Sequence, residues 1–256
     1  YDLDGTPALA LLHSAFELLG FKNITYYQPN RFTEGYGLHI SVLTQLIDQG
    51  VELVVTADLG ITAVEAAEYL KTRGVDLIVT DHHLPGEHLP AAVTVVNPNR
   101  KDCTSELGYL SGTGVAFYLV LALRRAFSEA GLLMNGFDPK TLLDCFCIGT
   151  ITDMVPLIKD NRTLVKHGLI QLARSQRPGL RALLRKLELE GCTLTGPDVA
   201  LKFAPKLNAL SRLDTDLRPI DLFLFKEEAE AEKAVEKVLA INSRRRSLQD
   251  EAVQQA

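Results

Sequence analysis

The residues with the clearest capacity for chemistry are aspartates and a histidine pair in short motifs spread along the chain. They are Asp2, Asp4, Asp58, the run Asp81-His82-His83, and Asp153. In open parallel sheets, ligands bind at the carboxyl ends of the strands. Asp58, the run Asp81-His82-His83 and Asp153 each follow an apolar, strand-like segment, so we expect their side chains to converge on one edge of a sheet.

So many carboxylates at one edge would repel each other strongly unless cations lay between them. An oxygen-rich site with one or two imidazoles suits Mn²⁺ or Mg²⁺ better than a thiolate-rich zinc centre does. Two such ions, about 3.5–4 Å apart, activate a water and neutralise the attacking and leaving oxygens of a phosphoester. The pattern therefore predicts a two-metal phosphoester hydrolase.

Each motif taken alone also has a purely structural interpretation. An aspartate at a strand end is often a helix N-cap or a turn residue. The run Asp81-His82-His83 is compatible with a solvated loop. The joint occurrence of these motifs at successive predicted strand ends favours the metal site.

Composition narrows the class of protein but leaves its partner open. The net charge of −5 argues weakly against nucleic acid, but bound cations would invert the field around the carboxylates. The sequence has no apolar run of about 18 residues, so we expect no membrane span. The four cysteines lack zinc-type spacing and are expected to be free thiols, as is typical of the reducing cytoplasm.

The first hundred residues alternate helix-like and strand-like segments. Predicted helices cover residues 8–19, 39–49 and 62–73, and predicted strands cover residues 24–27, 52–57, 76–80 and 93–96. Thr6 is expected to cap the first helix, with Pro7 at its first position. Continuous apolar strands between helices predict an α/β fold with a parallel sheet covered by helices on both faces.

The remainder of the chain is predicted to be mainly helical. Helices are expected at residues 114–127, 140–149, 162–175 and 178–187, with one long helix over 226–256. The chain thus divides into a core domain over residues 1–225 and a connecting helix over residues 226–256. Within the core domain, residues 1–105 form the α/β sheet region and residues 106–225 the helical region. The connecting helix would lead to a second lobe outside this chain. The acidic motif at Asp2 has no strand before it, which suggests that an N-terminal strand is missing.

Together the motifs resemble the DHH phosphoesterase superfamily. The stretches that carry the resemblance are Asp2-Leu3-Asp4-Gly5, residues 56–61, Asp81-His82-His83, and residues 149–157. The RecJ exonuclease branch of that superfamily is similar in further stretches, namely residues 29–38, 79–86, 110–117, 204–213 and 241–246. The resemblance is collinear over the whole chain and implies the DHH core fold.

The resemblance implies specific metal ligands. One ion would be held by Asp2 and Asp58, and a second by Asp4, Asp58, His82 and Asp153, with Asp58 bridging the two ions. Leu59, beside the bridging residue, stands where the family commonly has Asn or Cys.

The resemblance also implies residues for catalysis and substrate binding. His83 would contact the scissile phosphate or act as acid and base, Asp81 would orient the histidines, and Arg212 would engage phosphate during catalysis. The implied substrate-binding residues are Arg31, Lys206, Asn208 and Arg212. Tyr36 is a further candidate because of its aromatic ring near Arg31, which would either stack on bases or pack within its loop. Ser211 replaces a family glycine and would restrict the backbone beside Arg212 if that position needs a positive φ.

The function implied is 5′–3′ exonucleolytic hydrolysis of single-stranded DNA in repair and recombination, with two Mn²⁺ or Mg²⁺ ions. The chain is expected to be a cytoplasmic monomer that works with a helicase or single-strand-binding protein. Two alternatives remain open. One is a DHH enzyme for small substrates such as oligoribonucleotides or nucleotide phosphates, and the other is a catalytically inactive DNA-binding scaffold.

Overall fold

Helices alternate with a small sheet in the N-terminal region of the chain and then follow one another directly. The computed structural model describes residues 1–133, 136–211 and 216–254. The α-helices in these ranges are α1 (Gly5–Leu18), α2 (Ile40–Asp48), α3 (Val64–Thr72), α4 (Gly112–Glu129), α5 (Leu143–Thr152), α6 (Lys159–Ala173), α7 (Pro178–Lys186), α8 (Ala204–Leu210), α9 (Asp221–Leu224) and α10 (Glu228–Gln254). A 3₁₀-helix, Pro139–Leu142, precedes α5, and a π-helix, Asp198–Phe203, precedes α8.

The sheet has three parallel strands within the described ranges. They are β1 (Leu53–Val55), β2 (Asp76–Thr80) and β3 (Thr94–Val96), hydrogen-bonded in the order β1-β2-β3. In this register Val54 lies opposite Leu77, and Val79 lies opposite Val95. The strands are rich in β-branched residues, which pack well on a pleated surface. The carboxyl ends of β1 and β2 therefore lie side by side.

Helices cover both faces of the sheet, as predicted. On one face, Leu77 and Val79 of β2 pack with Ala67 and Leu70 of α3 in a small separate core. On the other face, Val55 of β1 packs against the main core, which α1, α4 and α5 help to form. Because successive strand residues point to opposite faces, a sheet covered on both sides has apolar residues at every strand position.

Helix α5 lies at the centre of the main core. Phe146 and Ile148 are completely buried, and so are the free thiols of Cys145 and Cys147. A helix that is apolar all round is stable only inside a core. Helix α6 approaches it closely at Gly168, where an added Cβ would lie 2.5 Å from the Leu143 carbonyl oxygen.

The apolar residues before Asp153 form the end of helix α5 and not a strand, which corrects the expectation that Asp153 follows a strand. The reason is that a short apolar run has the same pattern in a buried helix and in a buried strand. Asp153 is the C-cap of α5, and its backbone N–H donates to the Gly149 carbonyl at 2.9 Å.

Two further expectations near the N-terminus are wrong. Residues 24–27 form no strand, and no described strand pairs with them. Helix α1 begins at Gly5, so Asp4 and not Thr6 is its N-cap. Thr6 is instead fully buried inside the first turn, where its Oγ1 accepts a hydrogen bond from Gln28 Nε2 at 2.6 Å.

The last helix is a single long element, as predicted, with 27 residues in α10. Its first half packs on the core, because Ala231, Val235 and Val238 are completely buried. Ion pairs to α7 flank this contact, including Arg185 to Glu232 at 2.8 Å. No helix in the described ranges is both long and apolar enough to cross a membrane.

Arg177 forms hydrogen bonds to three separate segments of the helical core. Its guanidinium contacts Asp144 Oδ2 at 3.3 Å, the Phe223 carbonyl oxygen at 2.9 Å and Ser14 Oγ at 3.1 Å. The Asp144 side chain is only 2% exposed. We expect Arg177→Met to lower the free energy of unfolding by about 3–5 kcal/mol, because it leaves a buried carboxylate without its cation.

Urea denaturation would measure this loss, with Arg125→Met as the matched control. Arg125 also pairs with a carboxylate, Glu129, but its side chain is 80% exposed. The control should leave the denaturation midpoint nearly unchanged. Equal midpoints for Arg177→Met and wild type would show that the buried pair contributes no net stability.

Candidate metal centre

Asp58 lies in a tight turn just beyond β1, held in a strained backbone conformation. Its φ of 63° is in the left-handed region, which costs a non-glycine residue roughly 1–2 kcal/mol. The turn is fixed across the sheet: the Asp58 N–H donates to the Thr80 carbonyl at 3.0 Å, and Thr80 Oγ1 donates to the Thr56 carbonyl at 2.5 Å. Thr56 Oγ1 in turn donates to the Leu59 carbonyl at 2.6 Å. These bonds fix the backbone of the turn from which the Asp58 side chain projects.

Asp4 points from the start of α1 to the N-terminus of α4. Its carboxylate accepts hydrogen bonds from the Gly112 N–H at 2.5 Å, from the Thr113 N–H at 2.9 Å and from Thr113 Oγ1 at 2.6 Å. A helix N-terminus favours a negative charge. Burial nevertheless raises the pKa of Asp4, and the bonds from Thr113 and Gly112 offset only part of that rise.

Two glycines create the space in which these carboxylates meet. A Cβ added to Gly112 would lie 2.2 Å from Asp58 Oδ1, and one added to Gly149 would lie 2.8 Å from Asp4 Oδ1. Any side chain at either position would therefore occupy the centre. The sequence alone gave no role to these glycines or to Thr113. The glycines leave space for carboxylates that are distant in sequence, and Thr113 donates hydrogen bonds to one of them, Asp4.

Both carboxylate oxygens of Asp81 accept hydrogen bonds, Oδ1 from its own loop and Oδ2 from the turn that follows β1. Its Oδ1 accepts from the backbone N–H of His82 at 2.7 Å and from His83 Nδ1 at 2.7 Å, and its Oδ2 accepts from the Ile61 N–H at 2.9 Å. Burial alone would raise the pKa of Asp81, but the hydrogen bonds from His83 and Ile61 outweigh it and lower the pKa. Asp81 is therefore a charged anchor for the histidine loop.

His82 directs one ring nitrogen into the centre. Its Nδ1 lies 3.1 Å from the Leu110 carbonyl oxygen. Because a carbonyl only accepts, Nδ1 carries the proton of this bond and leaves Nε2 facing inward. Nε2 lies 3.3 Å from Asp58 Oδ1, 3.7 Å from Asp4 Oδ2 and 3.7 Å from Asp153 Oδ2. An imidazole surrounded by three carboxylates has the environment of a metal ligand.

The metal-free centre takes up protons to relieve its charge. Burial, with the charge of Asp4, raises the pKa of Asp58 to about 7 and that of Asp153 to about 6. Burial would lower the pKa of His82, but its contact with Asp58 and the charges of Asp4 and Asp153 raise it to about 9. Divalent cations relieve the same repulsion without protons.

The donor set fits divalent cations. Two overlapping groups have ligand atoms within 4.8 Å of one another, Asp58-His82-His83 and Asp4-His82-Asp153. Asp58 Oδ1 is buried and forms no well-aligned hydrogen bond within the described ranges, although His82 Nε2 lies near it. Oxygen and imidazole donors without thiolates suit Mn²⁺ and Mg²⁺.

Asp2 lies beside the centre but outside both groups. Its Oδ1 accepts hydrogen bonds from the N–H of Asp4 at 3.2 Å and of Gly5 at 2.9 Å. A Cβ on Gly5 would lie 3.4 Å from both Asp2 Oδ1 and Asp58 Oδ2. The two carboxylates thus flank the same glycine, and Asp2 Oδ2 has no hydrogen bond to any described residue.

Two asparagines that sequence reasoning passed over fix the backbone of the histidine loop. Asn97 Nδ2 donates to the His83 carbonyl at 2.9 Å, and Asn99 Nδ2 donates to the His82 carbonyl. Their own loop is closed by the Asn99 N–H, which donates to Asn97 Oδ1 at 2.7 Å. Their position in the sequence could have indicated this role, since both asparagines follow β3 at the edge of the sheet where the ligands lie.

Four of the predicted substrate-binding residues are described: Arg31 and Tyr36 lie beside Tyr1, and Lys206 and Asn208 lie on α8. Arg31 lies over the Tyr1 ring, 5.5 Å from its centroid, and the Tyr36 ring contacts the Tyr1 ring in a tilted arrangement, with 4.1 Å between the centroids. A cleft of about 1040 Å³ runs from Tyr36 to Asp58 and His83. Tyr36 is 62% exposed there, so its ring is only partly used in packing within the chain.

The stretch around Arg31 meets the end of α8. A small cavity of about 70 Å³ is lined by Arg31 and Ser211 among others. Lys206 and Asn208 lie on α8 and are half-buried, whereas Arg212 lies outside the described residues. Ser211 has φ −84°, so the position does not require a glycine, and the expected backbone restriction does not arise.

Comparison with known proteins shows the family to which the chain is similar. The family model described as "DHH family, N-terminal domain" matches residues 1–150. The single-stranded-DNA-specific exonucleases RecJ of Dickeya dadantii and Escherichia coli are each 38% identical to the chain over 97% of its length. The chain spans 44% of the length of each of these relatives.

Solved structures show the same fold. An exonuclease RecJ bound to manganese superposes with a TM-score of 0.87 and 34% identity, over 100% of this chain and 62% of that one. RecJ from Thermus thermophilus in complex with Mn²⁺ has a TM-score of 0.82 and 32% identity, over 100% of this chain and 36% of that one. The chain therefore belongs to the DHH family, and its similarity to the RecJ exonucleases of that family extends over 97% of its length.

Proposed function

We propose that the chain is the catalytic core of a metal-dependent 5′–3′ exonuclease that hydrolyses phosphodiester bonds of single-stranded DNA in repair and recombination. The observation that carries the proposal is the convergence of Asp4, Asp58 and Asp153 on Nε2 of His82, all within 3.7 Å. Relatives named as single-stranded-DNA-specific exonucleases support the substrate.

Two Mn²⁺ or Mg²⁺ ions are the proposed cofactors. One ion is assigned to Asp2 and Asp58, and the other to Asp4, Asp58, His82 and Asp153. The assignment is supported by the unpartnered buried Oδ1 of Asp58 and by related structures that contain Mn²⁺ or Mg²⁺. When bound, the ions activate a water and neutralise charge on the attacking and leaving oxygens.

His83 is the proposed contact to the scissile phosphate. Its side chain is 60% exposed, and its Nδ1 is held by Asp81 at 2.7 Å. The hydrogen bond to Asp81 raises the pKa of His83, which favours its protonated form. A protonated imidazole can bind a phosphate oxygen and can donate its Nε2 proton to the leaving oxygen.

The remaining substrate contacts are proposed for the cleft and for α8. Arg31 would bind a phosphate through two oxygens at once, because its guanidinium is planar. The exposed ring of Tyr36 would stack on a base. Lys206, Asn208 and Arg212 would complete the phosphate contacts.

We propose that the protein works in the cytoplasm as a monomer, with a helicase or single-strand-binding protein as its partner. Its buried free thiols at Cys145 and Cys147 suit a reducing compartment.

Removal of the shared carboxylate tests the proposal directly. Asp58→Asn keeps the size of the side chain but removes its charge, so Mn²⁺ binding and Mn²⁺-dependent degradation should each fall by more than about 100-fold. The product ladder from a long 5′-phosphorylated single strand would measure the rate. A dinucleotide substrate assayed in parallel would reveal a preference for small substrates.

Asp102→Asn is the matched control, because that carboxylate is exposed and pairs only with Arg100 among the described residues. Its rate should equal that of the wild type. If Asp58→Asn kept the wild-type rate, the metal-dependent mechanism would be wrong. If neither the wild type nor Asp58→Asn degraded DNA or bound Mn²⁺, the binding-scaffold interpretation would gain support.

The metal-free protein should lose stability as pH rises. Asp58 and His82 both have raised pKa values in the folded state, so the folded state binds more protons than the unfolded chain, and stability falls with pH. For Asp58 the loss falls between about pH 4 and pH 7, and for His82 between about pH 6.5 and pH 9.

Thermal unfolding in a chelator would measure this effect as the difference between Asp58→Asn and wild type. That difference in Tm should favour the variant increasingly from about pH 5 to pH 7 and then level off, since the amide carries no charge and Asp58 is ionised above its pKa of about 7. Excess Mn²⁺ should stabilise only the wild type. A pH-independent difference would mean that Asp58 is not under the charge repulsion described above.

The role of His83 can be separated from metal binding. His83→Gln should lower kcat by about 10²–10⁴-fold, because it removes an acid–base group. Calorimetry should find Mn²⁺ affinity nearly unchanged, since the proposed ligands remain. Loss of the bound ion in this variant would instead make His83 a ligand, in line with its place in the group Asp58-His82-His83.

A further inference from the structure

Asn161 is a completely buried polar side chain in the first turn of α6, and the proposed chemistry gives it no task. Its Nδ2 donates to the Tyr109 carbonyl at 2.8 Å and to the Pro156 carbonyl at 3.1 Å. Both amide protons are therefore in use. Its Oδ1 is buried and has no hydrogen-bond partner in the described ranges.

The two acceptors of Asn161 belong to the two segments that bring His82 and Asp153 together. Tyr109 is followed by Leu110, whose carbonyl holds Nδ1 of His82 at 3.1 Å. Pro156 lies three residues beyond Asp153 in the loop between α5 and α6. One side chain thus links the loop that orients the imidazole to the loop that follows the carboxylate.

The loop after Asp153 has little else to fix it. Met154 has φ 59° and is 87% exposed, and Leu157 is also exposed. Among the described residues, Asn161 is the one hydrogen-bond partner of the segment 155–157, through the Pro156 carbonyl. A loop with few contacts and a strained residue beside a ligand needs an anchor to hold one conformation.

We propose that Asn161 is a positioning residue for the metal centre. By joining the Tyr109 and Pro156 carbonyls, it keeps Nε2 of His82 and Oδ2 of Asp153 at their separation of 3.7 Å. The inference rests on the proposed function, because it assigns those two groups to one ion. Residues that orient ligands from behind typically change metal affinity by about 10–100-fold when removed.

A merely structural role has a different signature. A buried amide that satisfies two carbonyls stabilises the fold whether or not a metal binds. Such a role would lower Tm and leave Mn²⁺ affinity unchanged. The test therefore needs a measurement of affinity on folded protein.

The experiment is calorimetric titration of Mn²⁺ into wild type, Asn161→Ala and Asn161→Ser, each first shown to be folded by thermal melting in a chelator. The serine variant is the milder change, since its hydroxyl keeps one donor. We expect Mn²⁺ affinity to fall by about 10–100-fold in Asn161→Ala and by less in Asn161→Ser. Asn242→Ala is the matched control, because Asn242 is also a buried amide but lies on α10. It should leave Mn²⁺ affinity unchanged.

A double-mutant cycle with Asp153→Asn identifies the path of the effect. If Asn161 acts by placing Asp153 and His82 around one ion, Asn161→Ala should cost much less affinity in the Asp153→Asn background than in wild type. Wild-type affinity in folded Asn161→Ala, or full additivity in the cycle, would overturn the inference while leaving the proposed function intact. If the wild type itself bound no Mn²⁺, the proposed function would fail and the inference with it.

Discussion

Repulsion among buried carboxylates is the constraint around which this molecule is built. Asp4 and Asp58 are almost completely buried, and Asp153 shares with them the contact to Nε2 of His82. In a medium of low dielectric, such charges are costly unless each has a partner. The protein meets some of the cost with the α4 N-terminus and with His82. Protons or cations must offset the remaining repulsion among the carboxylates. This remaining repulsion is the source of the metal affinity that we propose.

The constraint explains why the site lies where the sheet meets the helical core. The ends of β1 and β2 supply Asp58 and His82, while α5 supplies Asp153 from a region of the chain that is entirely helical. Asp4 connects the two, because it caps α1 and reaches the N-terminus of α4. Neither the sheet nor the helical core alone holds a complete set of ligands, so metal binding and the docking of the two regions are expected to support each other.

A surrounding shell of polar residues gives the ligands their orientation. Asn97 and Asn99 hold the backbone of the histidine loop, and Thr152 Oγ1 donates to the Leu3 carbonyl at 2.6 Å between the two N-terminal aspartates. Most of these bonds end on backbone carbonyls. Backbone acceptors cannot be removed by substitution, so an arrangement of this kind fixes geometry while it leaves the ligand side chains free to bind an ion.

The amino-acid sequence by itself determined the α/β class, the long C-terminal helix, and the placement of Asp58 and the histidine pair at strand ends. Local patterns suffice for these, because apolar runs bounded by glycines and charged residues define parallel strands and helices. The sequence also contains family motifs that made Asp4 and Asp153 candidates. Only the tertiary structure decided that Asp153 caps a helix, that Gly112 and Gly149 leave room for carboxylates, and that Asn161 links two distant loops. Such roles depend on which segments meet in space, and a contact between residues far apart in sequence leaves no periodic pattern along the chain.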